Sequence, residues 1–163
     1  MTRTLILLRH GKSAYPDDVD DHERPLSPRG RREAGLAGRW IRADLPDIDA
    51  VLCSDATRTR KTLAEATIDA PVDYRAALYG ATPEGVIAEI RSVDPDIHTL
   101  LVIGHEPSLS ETALILATDH SSDIAQQLSE KFPTSALAVL TVRGSWADLE
   151  PGRAELTNFH IAR

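Results

Sequence analysis

The sequence lacks most of what would let it staple itself covalently, coat a nucleic acid or enter a membrane. Its 163 residues include one cysteine, Cys53, so no internal disulfide can form, and a lone thiol suits a reducing cytoplasm. Positive charge is in deficit, with 18 Lys and Arg against 25 Asp and Glu and a formal net charge of -7. A chain that neutralises many phosphates needs the opposite balance, so nucleic acid is excluded as a general partner. Any anion site must be a local basic pocket on an acidic protein. No apolar run approaches a membrane span, and the N-terminal run Thr4–Leu8 is shorter than the core of a signal peptide. These absences predict a cytoplasmic protein with no membrane partner. With no internal repeat, low-complexity tract or linker, one domain over residues 1–163 is expected.

Several motifs are missing as well. His22-Glu23 and His105-Glu106 each meet a leucine, Leu26 and Leu109, where a zinc-binding helix needs its second histidine. His98, His120 and His160 carry no metal spacing either, so neither metal nor cofactor is expected. Gly11-Lys12-Ser13 matches the end of a nucleotide-binding P-loop, but Ile6 stands where the first glycine belongs. No dinucleotide fingerprint and no hydrolase nucleophile elbow occurs.

What is present is strand and helix in alternation. The run Thr4–Leu8 reads as a strand buried on both faces, and it ends abruptly in Arg9-His10-Gly11. A polar loop, Lys12 to Pro25, follows, and Ser27-Pro28 opens a helix running to about Arg42. Ala34, Leu36, Ala37, Trp40 and Ile41 are available for its buried face, while Arg29, Arg31, Arg32 and Glu33 read as solvated. Ala50–Cys53 is a second strand, capped by Ser54-Asp55 into a helix over roughly Ala56 to Ile68. Asp73–Leu78 is a weaker strand, Thr82-Pro83 opens a helix to Arg91, and His98–Gly104 is a strongly apolar strand ending at His105. A helix from Pro107 to about Ala117, a polar one near Asp123–Ser129, and closing strands Ser135–Val142 and Ala154–Ile161 complete the chain. This order predicts an α/β fold: a three-layer α/β/α sandwich whose mostly parallel sheet carries an antiparallel edge strand.

Open sheets of this kind bind ligands beyond the carboxyl ends of their strands. Residues there include Arg9 and His10 after the first strand, Arg58 after the second and His105 after the fourth. Two arginines and two histidines suit a phosphoryl group, because guanidinium forks match its oxygens and neutral imidazole can attack phosphorus. Gly11 lets the backbone turn closely, Arg24 either reaches the pocket or pairs with acidic neighbours, and Ser54 either caps its helix or bonds phosphate, capping being favoured.

These residues carry a family resemblance. Leu8-Arg9-His10-Gly11 resembles the signature of the histidine phosphatase (phosphoglycerate mutase-like) superfamily. Ser54 to Thr62 resembles its second motif, in a register that selects Arg58 over Arg60, and Val102-Ile103-Gly104-His105 resembles its third. Arg24-Pro25-Leu26-Ser27-Pro28-Arg29-Gly30, Lys131 to Ala136 and Trp146 are similar to the compact SixA branch, the phosphohistidine phosphatases. The resemblance implies that His10 is the nucleophile and that Arg9, Arg58 and His105 hold the phosphoryl group. Asp55 departs from the family, which commonly has proline there. Many larger relatives use a carboxylate as general acid, for which Asp55, Glu84 and Glu106 are the candidates.

The expected activity is a metal-independent phosphatase acting on phosphohistidine in proteins. A phosphatase or pyrophosphohydrolase of small phosphorylated metabolites or nucleotides is the alternative, ahead of a non-catalytic phosphate-binding module. A phosphomutase wants a closing lid, and no long insertion here would build one. The expected partner is thus a phosphorylated protein or a small phosphorylated substrate. The loop Lys12–Glu23 and the segment Tyr79–Gly85 should rim the pocket, with acidity that favours a basic protein surface.

Overall fold

The computed structural model describes residues 1–163. Its strands are β1 (Thr2–Arg9), β2 (Ala50–Ser54), β3 (Val72–Arg75), β4 (Thr99–Gly104), β5 (Leu137–Arg143) and β6 (Ala154–His160). They form one sheet in the order β3-β2-β4-β1-β5-β6. β3, β2, β4 and β1 are parallel, while β5 runs antiparallel to both β1 and the edge strand β6. The helices are α1 (Pro28–Asp44), α2 (Thr57–Ala66), α3 (Pro83–Arg91), α4 (Ser108–Leu116) and α5 (Asp123–Glu130). None is long and apolar enough to cross a membrane.

The two-residue period of the strands decides which helix covers which face. Leu5 and Leu7 of β1 face a core that contains Ile90 of α3, Leu109 of α4 and Leu128 of α5. Ile6 and Leu8 face the opposite core with Ile41 of α1 and Leu63 of α2. All four β1 residues are fully buried, so the central strand needs apolar residues at consecutive positions, and the sequence supplies them. Trp146 is equally buried and donates its indole N–H to the Ile97 carbonyl at 2.7 Å.

The structure departs from the sequence reading in four places. In α1, Leu36 and Trp40 are only half-buried, and Gly30, Glu33 and Gly38 join the inner face. The cause is a close backbone crossing: a Cβ on Gly38 would lie 2.0 Å from the Ala66 carbonyl oxygen of α2. Glu33 is not solvated but buried, held by Arg29 Nε at 3.1 Å. The third strand stops at Arg75 and a 3-10 turn, Ala76–Leu78, follows, because Leu78 must turn inward to join the core. Helix α2 begins at Thr57 and ends before Thr67, whose φ of 55° is left-handed.

Candidate active site

Strand pairing alone brings the two histidines together. Arg9 lies opposite Gly104 in the β1–β4 register, so the next residues, His10 and His105, leave the sheet side by side. The His10 amide donates to the Gly104 carbonyl at 3.1 Å, and the two imidazole centroids are 5.3 Å apart. β2 lies on the other side of β4 and delivers Ser54, and Arg58 follows in the first turn of α2. From the other flank, the antiparallel β5 brings the segment before Leu137 against β1. Phe132 accepts from Arg9 Nη1 at 2.9 Å, and the Ser135 amide meets the Arg9 and His10 carbonyls at 3.2 and 3.1 Å. Ser135 holds a left-handed φ of 61°, the kind of backbone cost that clusters at functional sites.

The protonation state of His10 follows from its bonding. Nδ1 lies 2.7 Å from the Gly11 carbonyl, which can only accept, so the proton sits on Nδ1 and Nε2 keeps its lone pair. Burial, the Gly11 bond working against it, and the nearby charges of His105, Arg58 and Arg9 together push its pKa down to about 3. The Gly11 amide in turn donates to Thr62 Oγ1 at 2.9 Å, and that hydroxyl donates to the Arg58 carbonyl. His105 is lowered to about 4, chiefly by burial and then by Arg58. Both rings are therefore neutral at pH 7.

Arg9, His10, Arg58 and His105 line one cavity of about 220 Å³, with Arg24, Glu106 and Thr134. Arg9 Nε, Arg58 Nε and His105 Nδ1 are buried there without a hydrogen-bond partner, an uncommon state for such groups. Three unpaired donor-capable nitrogens on the residues of one small cavity suit an anion rich in acceptor oxygens. A larger cavity of about 850 Å³ lies beside Arg143 and Glu155, but Arg143 pairs with Thr2, at the opposite end of the sheet from His10. That cavity contains no histidine, and Arg153 within it faces Glu150 at 3.7 Å.

The remaining candidates separate. Arg24 does both things considered for it: it lines the cavity and bonds Asp21 and Ser13 at 3.0 and 2.9 Å. Ser54 is not the cap of α2; Ala56 holds that position without a side-chain bond. The fully buried Ser54 hydroxyl lies instead 2.8 Å from His105 Nε2. Gly11 is needed for packing, since a Cβ there would stand 2.7 Å from the Gly30 carbonyl oxygen. Among the carboxylates, Asp55 is engaged by His22 Nε2 at 2.8 Å, and Glu84 is exposed on α3 away from the cavity. Glu106 lines the cavity, with its two oxygens accepting from the Ser110 amide and hydroxyl at 2.7 and 2.6 Å. No three His, Cys, Asp or Glu side chains are grouped to hold a metal ion.

Sequence reasoning missed Asp21 and underrated Ser13 and Tyr15. Asp21, in a 3-10 turn over residues 21–23, meets Arg58, Arg24 and the Tyr79 hydroxyl. The one available signal was its position three residues before Arg24. Ser13 is buried on the cavity wall, and the exposed Tyr15 ring lies 4.2 Å from the Arg24 guanidinium carbon.

Strand-end histidines, buried guanidinium groups and a six-stranded α/β sheet together define a class. The family model of the histidine phosphatase superfamily (branch 1) matches residues 5–80, and the chain belongs to that superfamily. Within it the chain is SixA-like. A solved structure from Nakamurella multipartitia, provisionally assigned as phosphohistidine phosphatase SixA, matches with a TM-score of 0.92 at 40% identity, covering 99% of this chain and 97% of that one. An uncharacterized protein of Mycobacterium tuberculosis is 59% identical over 158 residues, 96% of this chain and 100% of that one. Phosphohistidine phosphatase SixA of Escherichia coli is 26% identical over 145 residues, 85% of this chain and 84% of that one.

Proposed function

We propose that the chain is a phosphatase that is transiently phosphorylated on His10 and removes phosphoryl groups from histidine in proteins. The observation that carries this reading is the Nδ1 bond of His10 to Gly11, which leaves a neutral Nε2 lone pair on a residue that lines a cationic cavity. In the first step His10 Nε2 forms a bond to phosphorus as the bond to the leaving nitrogen breaks, and the substrate imidazole, carrying a proton on its other ring nitrogen, departs neutral. Arg9 and Arg58 offset the charge on the equatorial oxygens and neutral His105 donates a hydrogen bond to them, so this reading calls on no divalent ion. In the second step water attacks the phosphorylated His10, releasing inorganic phosphate and the free imidazole.

The choice of phosphohistidine rests on the leaving group. A water-like hydroxyl has a pKa of about 15.7 and needs a general acid, whereas imidazole, with a pKa of about 6.5 for its conjugate acid, is expelled far more readily. Asp55 and Glu84 are not placed to serve as that acid, and both Glu106 oxygens are engaged by Ser110. The size of the cavity supports a large partner. At about 220 Å³ it is smaller than ordinary metabolite pockets of about 300–1,000 Å³, which suits a substrate whose bulk stays outside it.

Acid and base quenching of the enzyme with a radiolabelled phosphohistidine peptide tests the reading. The expected phosphoenzyme is acid-labile and base-stable, and absent in His10→Ala. Label recovered on Ser54 or Cys53, or alkyl phosphates turned over much faster than the peptide, would overturn it.

A further inference from the structure

We infer that Asp21 is a positioning residue for the reaction: its carboxylate and backbone fix the plane of Arg58, so that the remaining guanidinium donors meet the transferring phosphoryl group. This inference rests on the phosphatase reading above and adds a residue to it.

Arg58 Nη1 donates to the Asp21 backbone carbonyl at 2.7 Å, and Nη2 to Asp21 Oδ2 at 3.2 Å. A guanidinium has five N–H donors in a rigid fork. Asp21 uses one from each terminal nitrogen and leaves the buried Nε–H without a partner. The free donors are therefore Nε–H and the second N–H on each terminal nitrogen, which include the side-on fork that binds phosphate oxygens in pairs. Holding two terminal nitrogens stops the plane from rotating, and a preset plane is what charge stabilisation in a transition state requires.

Asp21 is itself held in place. Its carboxylate accepts from Arg24 Nε and from the Tyr79 hydroxyl. The two residues after it are tied to the same stretch as Arg58: His22 Nε2 lies 2.8 Å from Asp55 Oδ1, and Thr57 Oγ1 donates to Glu23 Oε2 at 3.1 Å. The three residues of the 3-10 turn thus bond Asp55, just before α2, and Thr57 and Arg58 in its first turn. The same carboxylate orders Arg24, which lines the cavity, and Tyr79, whose ring packs edge-on 5.5 Å from that of His105. Tyr79, followed by Arg58, holds Asp21 at a pKa of about 2, so the carboxylate is ionised at every working pH and cannot serve as a general acid. Its side chain is 55% exposed, and an ion pair with so wet a partner adds little stability.

The test is a double-mutant cycle on an aryl phosphate, with Asp21→Ala, Arg58→Ala, both together, and Asp21→Asn as the conservative variant. Asp21→Ala should lower kcat by about 10²-fold, as expected for a misplaced catalytic group. KM should change far less, and the melting midpoint should stay near that of the wild type. Asp21→Asn should recover part of the loss, because its amide oxygen can still accept from Arg58 Nη2, whereas the backbone bond survives in both variants. In the Arg58→Ala background the Asp21 substitution should cost almost nothing more. Independent multiplication of the two losses, or a kcat for Asp21→Ala and Asp21→Asn at or above wild type, would overturn the assignment. A wild type inactive on both the aryl phosphate and a phosphohistidine peptide would overturn the phosphatase reading itself, and this one with it.

Discussion

The Ser54 hydroxyl meets His105 Nε2 at 2.8 Å, in a site where both side chains are buried and His105 Nδ1 has no partner. Ser54 also accepts from the Ala56 amide at 3.3 Å. Donation of the single serine proton to Nε2 then puts the imidazole proton on Nδ1, where it is available to an anion. Ser54→Ala should remove that control. A loss of about fivefold in kcat/KM is expected, equivalent to one hydrogen bond of about 1 kcal/mol, and is checked by steady-state kinetics.

Arg58 and Arg60 stand two residues apart on α2 and should behave in opposite ways. Arg58 is buried in the cavity wall, while Arg60 is exposed with its guanidinium carbon 5.4 Å from the Tyr74 ring. Arg58→Ala should cost about 3 kcal/mol of transition-state stabilisation, like the loss of an oxyanion donor. Arg60→Ala should be nearly neutral. Measuring kcat/KM for the two variants side by side gives the ranking.

The crossing of α1 and α2 yields a paired stability prediction. Gly38→Ala would place a methyl 2.0 Å from a backbone oxygen, which must push the helices apart at a cost of about 1–3 kcal/mol. Gly35, one turn away in the same helix, has its nearest such contact at 3.7 Å. Gly35→Ala should therefore stabilise by about 0.5–1 kcal/mol through helix propensity alone. Denaturant titration of both variants should give shifts of opposite sign.

Acid should weaken the fold through the two site histidines. An unfolded chain protonates its imidazoles as pH falls through about 6.5. The folded protein resists until about 4 at His105 and about 3 at His10. In between, the unfolded state binds more protons, so the stability these rings contribute is complete above pH 6.5 and declines as pH falls. The slope is up to about 1.36 kcal/mol per pH unit for each ring. Replacing both with glutamine should flatten the profile between pH 6.5 and 4, as followed by urea midpoints.

The strands could be read because β1 and β4 are runs of consecutive apolar residues ending in His10 and His105. That parallel strands release their ends at one edge of the sheet follows from the α/β pattern, but the placing of β4 directly beside β1, which brings the two imidazoles together, comes from the structure. Asp21 could not be read. Its distant partners are Arg58 of α2 and Tyr79, just after the 3-10 turn Ala76–Leu78, and a polar loop gives no periodicity from which to infer a long-range ion pair. The contacts of Ser54 and Gly11 were not legible for a similar reason. A serine before a helix looks like a cap and a glycine after a strand like a tight turn, and only the packed structure puts one against His105 and the other against Gly30.

The clasp that Phe132 and Ser135 place on Arg9 and His10 sets an order of events during synthesis. The first strand leaves the ribosome long before the segment that restrains its arginine, and chains are built from the N-terminus at about 5–20 residues per second. A partly made protein therefore carries His10 without the backbone clasp that flanks it. The clasp closes only once residues 132–143 have emerged and β5 docks against β1, long after the first motif has been made.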